Sequence, residues 1–350
     1  MDRRRFAALA ATTGLMATAG GLVSREALAQ NLRLTGAGAS FPFPLYSTWF
    51  QTYSQATPGI QIDYQSTGSG AGVKSFIART VDFAASDAAM TDEQIGQVEG
   101  GAVILPMTAG EIVLAYNLPG VTDLKLPREV YPLIFLGEVT SWNDPRIAAA
   151  NPGVTLPDTK ITAVRRSDAS GTTFVFTNHL AAISEKFKST VTPGTNPQWP
   201  NVSNLIAAPR NDGVTATITQ TPGAVGYIEW GFAKLTNTPA ASLQNAAGSY
   251  VAPGGMGGAI ALASAEFKGE DLRGWILDPA GENAYPIATF TWMLFYKKQD
   301  AARAEALRSF VTWALKDGQA MAEQLGYIPM PDEVLAKVAA QVPNIGAAGA

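Results

Sequence analysis

The chain has 350 residues, 47% apolar and 15% charged, with a formal net charge of −4 at pH 7, one histidine and no cysteine. That length and composition suit two globular lobes with a sizeable core and exclude a disordered chain. They also exclude disulfides, thiolate nucleophiles and Cys-ligated metals, and they offer no positive field to attract nucleic acid or anionic lipid.

The first 29 residues stand apart. Arg3, Arg4 and Arg5 precede a run of small and apolar residues to Val23, and Ala27-Leu28-Ala29 has the A-x-A form of a cleavage site. The pattern predicts a signal peptide over residues 1–29, cut after Ala29. Its Arg-Arg-Arg-Phe order resembles a twin-arginine signal, with the general secretory route as the alternative. A retained membrane anchor is the competing reading of the same run. Cleavage removes four arginines and two acids, so the charge of −4 becomes −6. An anion bound by such a chain must be held by local dipoles and placed donors.

Leu45, Trp49, Phe50 and Tyr53 then recur at helical spacing behind Pro42 and Pro44, a suitable helix entrance. Ile60, Ile62 and Tyr64 alternate as in a strand, Gly68–Gly72 reads as a Gly-rich turn, and Val73, Phe76 and Ile77 give one face of a helix. Thr91-Asp92-Glu93-Gln94 has the form of a capping box. A helix is predicted over Arg128–Phe135 with its ladder broken at Pro132. Ile112–Tyr116 and Ile161–Val164 read as buried strands, and Arg303–Leu315 as a helix burying Leu307, Phe310, Val311 and Ala314. Strands alternating with helices predict α/β lobes with largely parallel sheets.

Three loop-to-helix junctions share one chemistry: GAGASFPF (36–43), STGSGAGVKSF (66–76) and SDASGTTF (167–174). Each sets glycine and a hydroxyl residue before a helix, whose first N–H groups and dipole favour an anion. Each taken singly is also an ordinary helix cap. Familiar catalytic motifs are absent. Val73 separates Gly72 from Lys74 and breaks the P-loop pattern, Ser69 and Ser170 lack a GxSxG elbow, and His179, the one histidine, is expected on a helix surface.

The segments GAGASFPFPLYSTW (36–49), YQSTGSGAGVKSF (64–76), DFAASDAAM (82–90), IFLGEVTSWND (134–144), RRSDASGTTFVF (165–176), GAVGYIEW (223–230) and LGYIPMP (325–331) occur in one order. Together they resemble the periplasmic phosphate-binding proteins of ABC phosphate importers, the PstS type, over nearly the whole mature chain. The resemblance implies a two-lobed α/β solute-binding fold of the Venus-flytrap kind, type II, with the ligand in the interlobe cleft. Lobe I would comprise residues 30–106 and 286–350, and lobe II residues 107–285.

It further implies that Ser40 and the backbone N–H of Phe41 donate to phosphate from the first junction, and Ser69 from the second. Asp87 would accept the phosphate proton. Arg166 would be the cationic donor, oriented by Asp168, with Ser170, Gly171 and Thr172 completing the cradle. Ala169 stands where the family often has glycine, and the segment after Pro331 lacks a late tryptophan frequent in the family. The implied protein is a high-affinity receptor and no enzyme: a monomer that takes no cofactor, holds no metal and binds no nucleic acid. Its partners would be inorganic phosphate and an inner-membrane ABC permease. Two other readings stay open on the residues: a phosphatase with Ser170 or Thr172 as nucleophile, and a receptor for arsenate, which offers the same proton and nearly the same shape.

Overall fold

The computed structural model describes residues 32–267 and 272–347, so the predicted signal peptide lies outside the described residues. Among them no helix is long and apolar enough to cross a membrane. The chain opens with β1 (Leu32–Gly38), α1 (Phe43–Ala56), β2 (Ile60–Ser66), α2 (Ser69–Ile77), β3 (Phe83–Ser86) and α3 (Asp92–Gly96). α1 forms where its pattern predicts, burying Leu45, Tyr46, Trp49, Phe50 and Tyr53. Pro44 sits in its first turn, where a missing N–H costs no helix bond. The capping box closes as expected: Thr91 Oγ1 accepts from Gln94 N at 3.2 Å, and Gln94 Oε1 from Thr91 N at 3.0 Å.

The predicted turn at Gly68–Gly72 is instead the start of α2. Gly68, at φ 93°, caps the helix, and Gly72 lies so close to β1 that a Cβ there would come within 2.4 Å of Gly38 Cα. The glycines serve close packing as well as backbone freedom.

β4 (Ala102–Tyr116) runs for 15 residues. After it come β5 (Lys125–Leu126), α4 (Tyr131–Phe135), α5 (Pro145–Ala150), β6 (Thr162–Arg166), α6 (Gly171–Ile183), α7 (Glu185–Thr190), β7 (Leu205–Ala208) and α8 (Arg210–Gln220). β8 (Ala224–Glu229), α9 (Trp230–Thr236), β9 (Ser242–Gln244), β10 (Tyr250–Val251) and α10 (Gly257–Leu262) follow. The chain then returns through β11 (Ala288–Tyr296), α11 (Ala301–Trp313), α12 (Gln319–Gln324) and α13 (Asp332–Gln341). α4 is shorter than predicted. Pro132 falls in its first turn and starts the helix where a break had been expected. α13 packs without the late tryptophan by burying Val334 and Val338.

Eight strands form one sheet in the order β2-β1-β3-β11-β4-β8-β6-β7. Its outer strands are parallel, as expected, but β11 is antiparallel to β3 and β4, and β4 antiparallel to β8, so the sheet is mixed. β4 changes partner midway: Ala102–Glu111 pairs with β11, and Ile112–Tyr116 with β8. The sheet therefore has two halves joined by one continuous strand, each with its own aromatic core. In the first, α1 meets α11 through Phe50–Phe310 and Tyr53–Phe310 contacts at 5.2 and 5.4 Å. In the second, Phe176 stacks on Tyr227 at 4.3 Å and meets Phe135 edge-on at 4.9 Å. Such pairs add about 0.5–1.5 kcal/mol each beyond burial.

Residues 272–278 form a strap that touches both halves. On one side Trp292 Nε1 donates to Leu272 O at 2.8 Å, and Arg273 donates to Met90 O at 2.8 Å and pairs with Asp92 at 2.7 Å. On the other, Arg128 grips Asp278 through two bonds of 2.7 and 2.5 Å, and His179 Nδ1 lies 2.7 Å from Leu277 O. His179 is thus fully buried and not on the helix surface expected for it. A carbonyl only accepts, so Nδ1 carries the proton and Nε2 accepts from Tyr131 Oη at 2.7 Å. Burial lowers its pKa to about 4, outweighing the Leu277 carbonyl bond that raises it.

Candidate functional site

The three glycine-hydroxyl junctions converge. Each follows the carboxyl end of a strand, the edge at which open α/β sheets hold ligands. β1 delivers Ser40 and Phe41, β2 leads through Gly68 to Ser69, and β6 ends on Arg166, just before the loop and helix carrying Asp168, Ser170, Gly171 and Thr172. β3 delivers Asp87. Ser40, Phe41, Ser69, Asp87, Arg166, Ser170, Gly171 and Thr172 are buried, and Asp168 is half-buried.

Contact between the two sheet halves is direct. A Cβ at Gly171 would stand 2.7 Å from Asp87 Cβ, 2.7 Å from Ser69 Oγ and 2.8 Å from Ala88 N, so only glycine lets α6 start there. Gly70 N, on α2, donates to Ala169 O at 2.9 Å. Ala169 in place of a glycine therefore leaves its carbonyl engaged.

Asp87 is the acceptor at the centre. Thr291 Oγ1 donates to its Oδ1 at 2.8 Å, and Ser69 Oγ lies 3.4 Å from Oδ2. Desolvation raises the Asp87 pKa to about 6, against the Thr291 bond, the Arg166 charge and the Ser69 bond. Each carboxylate oxygen has two acceptor sites, so capacity for a ligand O–H remains.

Arg166 is the cation. Its Nε and Nη2 donate to the two oxygens of Asp168 at 2.8 and 2.5 Å, and Nη1 donates to Thr172 Oγ1 at 3.3 Å. This fork orients the guanidinium and leaves N–H groups for a further acceptor. Asp168 also accepts from Arg210 N at 2.9 Å. Its pKa is lowered: burial opposes the shift, but the Arg166 bonds and charge prevail. Ser170 caps α6 by accepting from Thr173 N at 3.0 Å, while the first-turn N–H groups of Gly171 and Thr172 have no intrahelical acceptor.

Further site residues escaped the sequence reading. Thr291 is one of two threonines in a largely apolar strand, ATFTWMLFY, and those hydroxyls were the available signal. Asn211, fully buried, donates from Nδ2 to Ser40 Oγ at 2.9 Å and to Thr172 Oγ1 at 3.3 Å. It follows Pro209 and Arg210 at the start of α8, a fourth loop-to-helix junction without a serine or glycine run to advertise it. Three tyrosines from the quoted segments brace the backbone around the site. Tyr64 Oη donates to Ala39 O at 2.8 Å, Tyr327 Oη donates to Phe41 O at 2.7 Å, and Tyr227 Oη accepts from Arg166 N at 3.0 Å.

A domain profile described as the PBP superfamily domain matches residues 18–317. The chain is 39% identical over 312 residues to the phosphate-binding protein PstS of Pasteurella multocida, covering 88% of this chain and 89% of that one. In fold it resembles the crystallised phosphate-binding protein of Stenotrophomonas maltophilia, with a TM-score of 0.71 and 20% identity over 89% of this chain and 94% of that one. It also resembles PfluDING, described as a high-affinity periplasmic phosphate-binding protein and solved with phosphate bound, with a TM-score of 0.69 and 21% identity over the same shares. The α/β fold is thus that of the two-lobed periplasmic binding proteins.

Proposed function

Because the chain belongs to the PstS family of phosphate-binding proteins, within the PBP superfamily, we propose that it binds inorganic phosphate between its lobes outside the cytoplasm and delivers it to an ABC-type import permease. The observation that carries this reading is the convergence of Asp87 with donors from both sheet halves at one buried point, closed by Gly171 against Asp87 and Ser69. Hydrogen phosphate is a tetrahedral anion with several acceptors and one proton. It needs many donors and one acceptor. In this assignment Ser40, the Phe41 N–H, Ser69, Arg166, Ser170, Gly171 and Thr172 donate, Asp87 accepts, and Asp168 holds Arg166. We place the lobe crossings where the pairing changes, near Glu111–Ile112 and near Ile287, a few residues beyond the boundaries drawn from sequence.

The family is one of binding proteins, and the bound anion leaves unchanged. A serine or threonine nucleophile needs a base. Both His179 nitrogens are engaged by Leu277 and Tyr131, and the Ser170 hydroxyl oxygen caps α6. Titration calorimetry with phosphate, sulfate and arsenate tests the assignment and separates the two oxyanions that share a proton. At pH 7.5 phosphate should bind and sulfate should not. Arg166→Ala should lose about 2–5 kcal/mol of phosphate binding, the scale for breaking a buried charged pair. Failure to bind phosphate, or release of product from a chromogenic phosphate ester, would overturn the reading.

A further inference from the structure

Asn211 has a fixed orientation. Glu229 N donates to its Oδ1 at 3.0 Å, and a backbone N–H is never an acceptor, so the side-chain oxygen must face Glu229 and Nδ2 must face the cradle. From there Nδ2 reaches Ser40 Oγ at 2.9 Å, on the first sheet half, and Thr172 Oγ1 at 3.3 Å, on the second. The Asn211 backbone N donates to the same Ser40 Oγ at 3.1 Å.

A hydroxyl has two acceptor sites and one proton. Both acceptor sites of Ser40 are filled by Asn211, and those of Thr172 by Asn211 and Arg166 Nη1. Neither hydroxyl has a role left except to donate. We propose that Asn211 is a positioning residue that makes Ser40 and Thr172 obligate donors to the bound oxyanion, so that neither can take a ligand proton and that proton is left to Asp87. This rests on the phosphate reading and deepens it: the site would count protons, favouring hydrogen phosphate over dihydrogen phosphate. Donors whose direction is set before the ligand arrives need no reorganisation on binding.

The test is calorimetry with inorganic phosphate from pH 5.5 to pH 8.5 on the parent and on Asn211→Leu, which keeps the bulk and removes the amide. Charged groups at this junction are Arg166, Asp168, Arg210, Asp212 and Asp87, with Glu229 behind Asn211. They are common to both proteins, so the ratio of affinities at each pH isolates Asn211. The variant should bind about tenfold or more weakly at high pH. The deficit should shrink toward low pH, where freed acceptor sites on Ser40 and Thr172 can take the second proton of dihydrogen phosphate. Equal losses at every pH would mark a merely structural role and overturn the proposal, as would an unchanged affinity. Should Asn211→Leu lack a cooperative melting transition, Asn211→Asp decides. Its second oxygen accepts from both hydroxyls, and it should bind about a hundredfold or more weakly at pH 8; parent-like binding there would overturn the proposal. A parent that binds no phosphate would overturn the underlying reading itself, and this inference with it.

Discussion

Burial raises the Asp87 carboxyl to about 6, while Thr291, Arg166 and Ser69 pull it back. Because its folded pKa lies above the unfolded value, its contribution to stability is present below about pH 4 and lost as pH rises through 6. At neutral pH the free protein therefore carries a charged, buried acceptor that a ligand proton would relieve. Sulfate has no such proton near neutrality. It should raise the melting temperature of the parent at pH 5, where Asp87 can donate, and leave it unchanged at pH 7.5, whereas phosphate should raise it at both. In Asp87→Asn the amide can turn its NH₂ to sulfate, so sulfate should stabilise that variant at both pH values. A variant that still ignores sulfate at pH 7.5 would remove Asp87 from the proton-reading role. The hydroxyls of the three junctions were legible because like residues recur in like local settings, whereas Asp87 and Arg166 were named only through the family resemblance. Thr291 and Asn211 were not legible, since their partners come from 204 and 171 residues away in sequence.

The long strand β4 carries a second pair of unusual acids where it changes partner. Glu111 is its own residue, and Glu229 pairs with the adjacent Ile112, so strand alternation sends the two carboxyls to opposite faces of the sheet. Glu111 Oε2 accepts from Gly254 N at 2.6 Å and Glu229 Oε1 from Gly231 N at 2.8 Å. Their other oxygens have no partner among the described residues. Burial raises Glu111 to about 7, with the Gly254 bond opposing, and raises Glu229 well above the usual carboxylate range, with the Gly231 bond opposing. Both thus favour the fold when protonated, and that stability fades as pH climbs through the folded pKa. A shift the size of that on Glu111 corresponds to about 3 kcal/mol. Glu111→Gln should therefore melt higher than the parent above pH 7, with the gap closing below pH 5. A gap independent of pH in thermal scans would contradict the assignment. No local pattern announces such residues: nothing in GEIVLAY shows that Gly254 and Gly258 will close over the glutamate. The capping box at Thr91 was readable because both its halves lie within four residues, whereas Pro132 and Gly68–Gly72 were misread because their meaning depends on where a helix begins and what packs on it.

At the scale of the molecule, strand β4 and the 272–278 strap link two sheet halves whose facing junctions touch. Hinge closure on a ligand is the mode for which periplasmic binding proteins are a standing example. Small-angle scattering should show a smaller radius of gyration with phosphate than without it. Arg128→Ala, which frees one end of the strap, should widen that difference; an identical radius with and without phosphate would argue for a rigid site. The two-lobed α/β class was legible from alternating elements and from the family resemblance. The antiparallel centre of the sheet was not, because β11 comes from the far end of the chain and nothing local records which neighbours it will choose.

β11 lies between β3 and β4, so the first lobe cannot complete its sheet until residues 288–296 have been made. A growing chain would hold β1, β2 and β3 without their central neighbour while the whole second lobe emerges. Such distant pairing makes for slow folding. A circular permutant that begins at Ile287, joins Ala347 to Leu32 through a linker and ends at Pro286 would make each lobe a single run of sequence. With the same contacts and shorter loops to close, it would be the faster folder of the two.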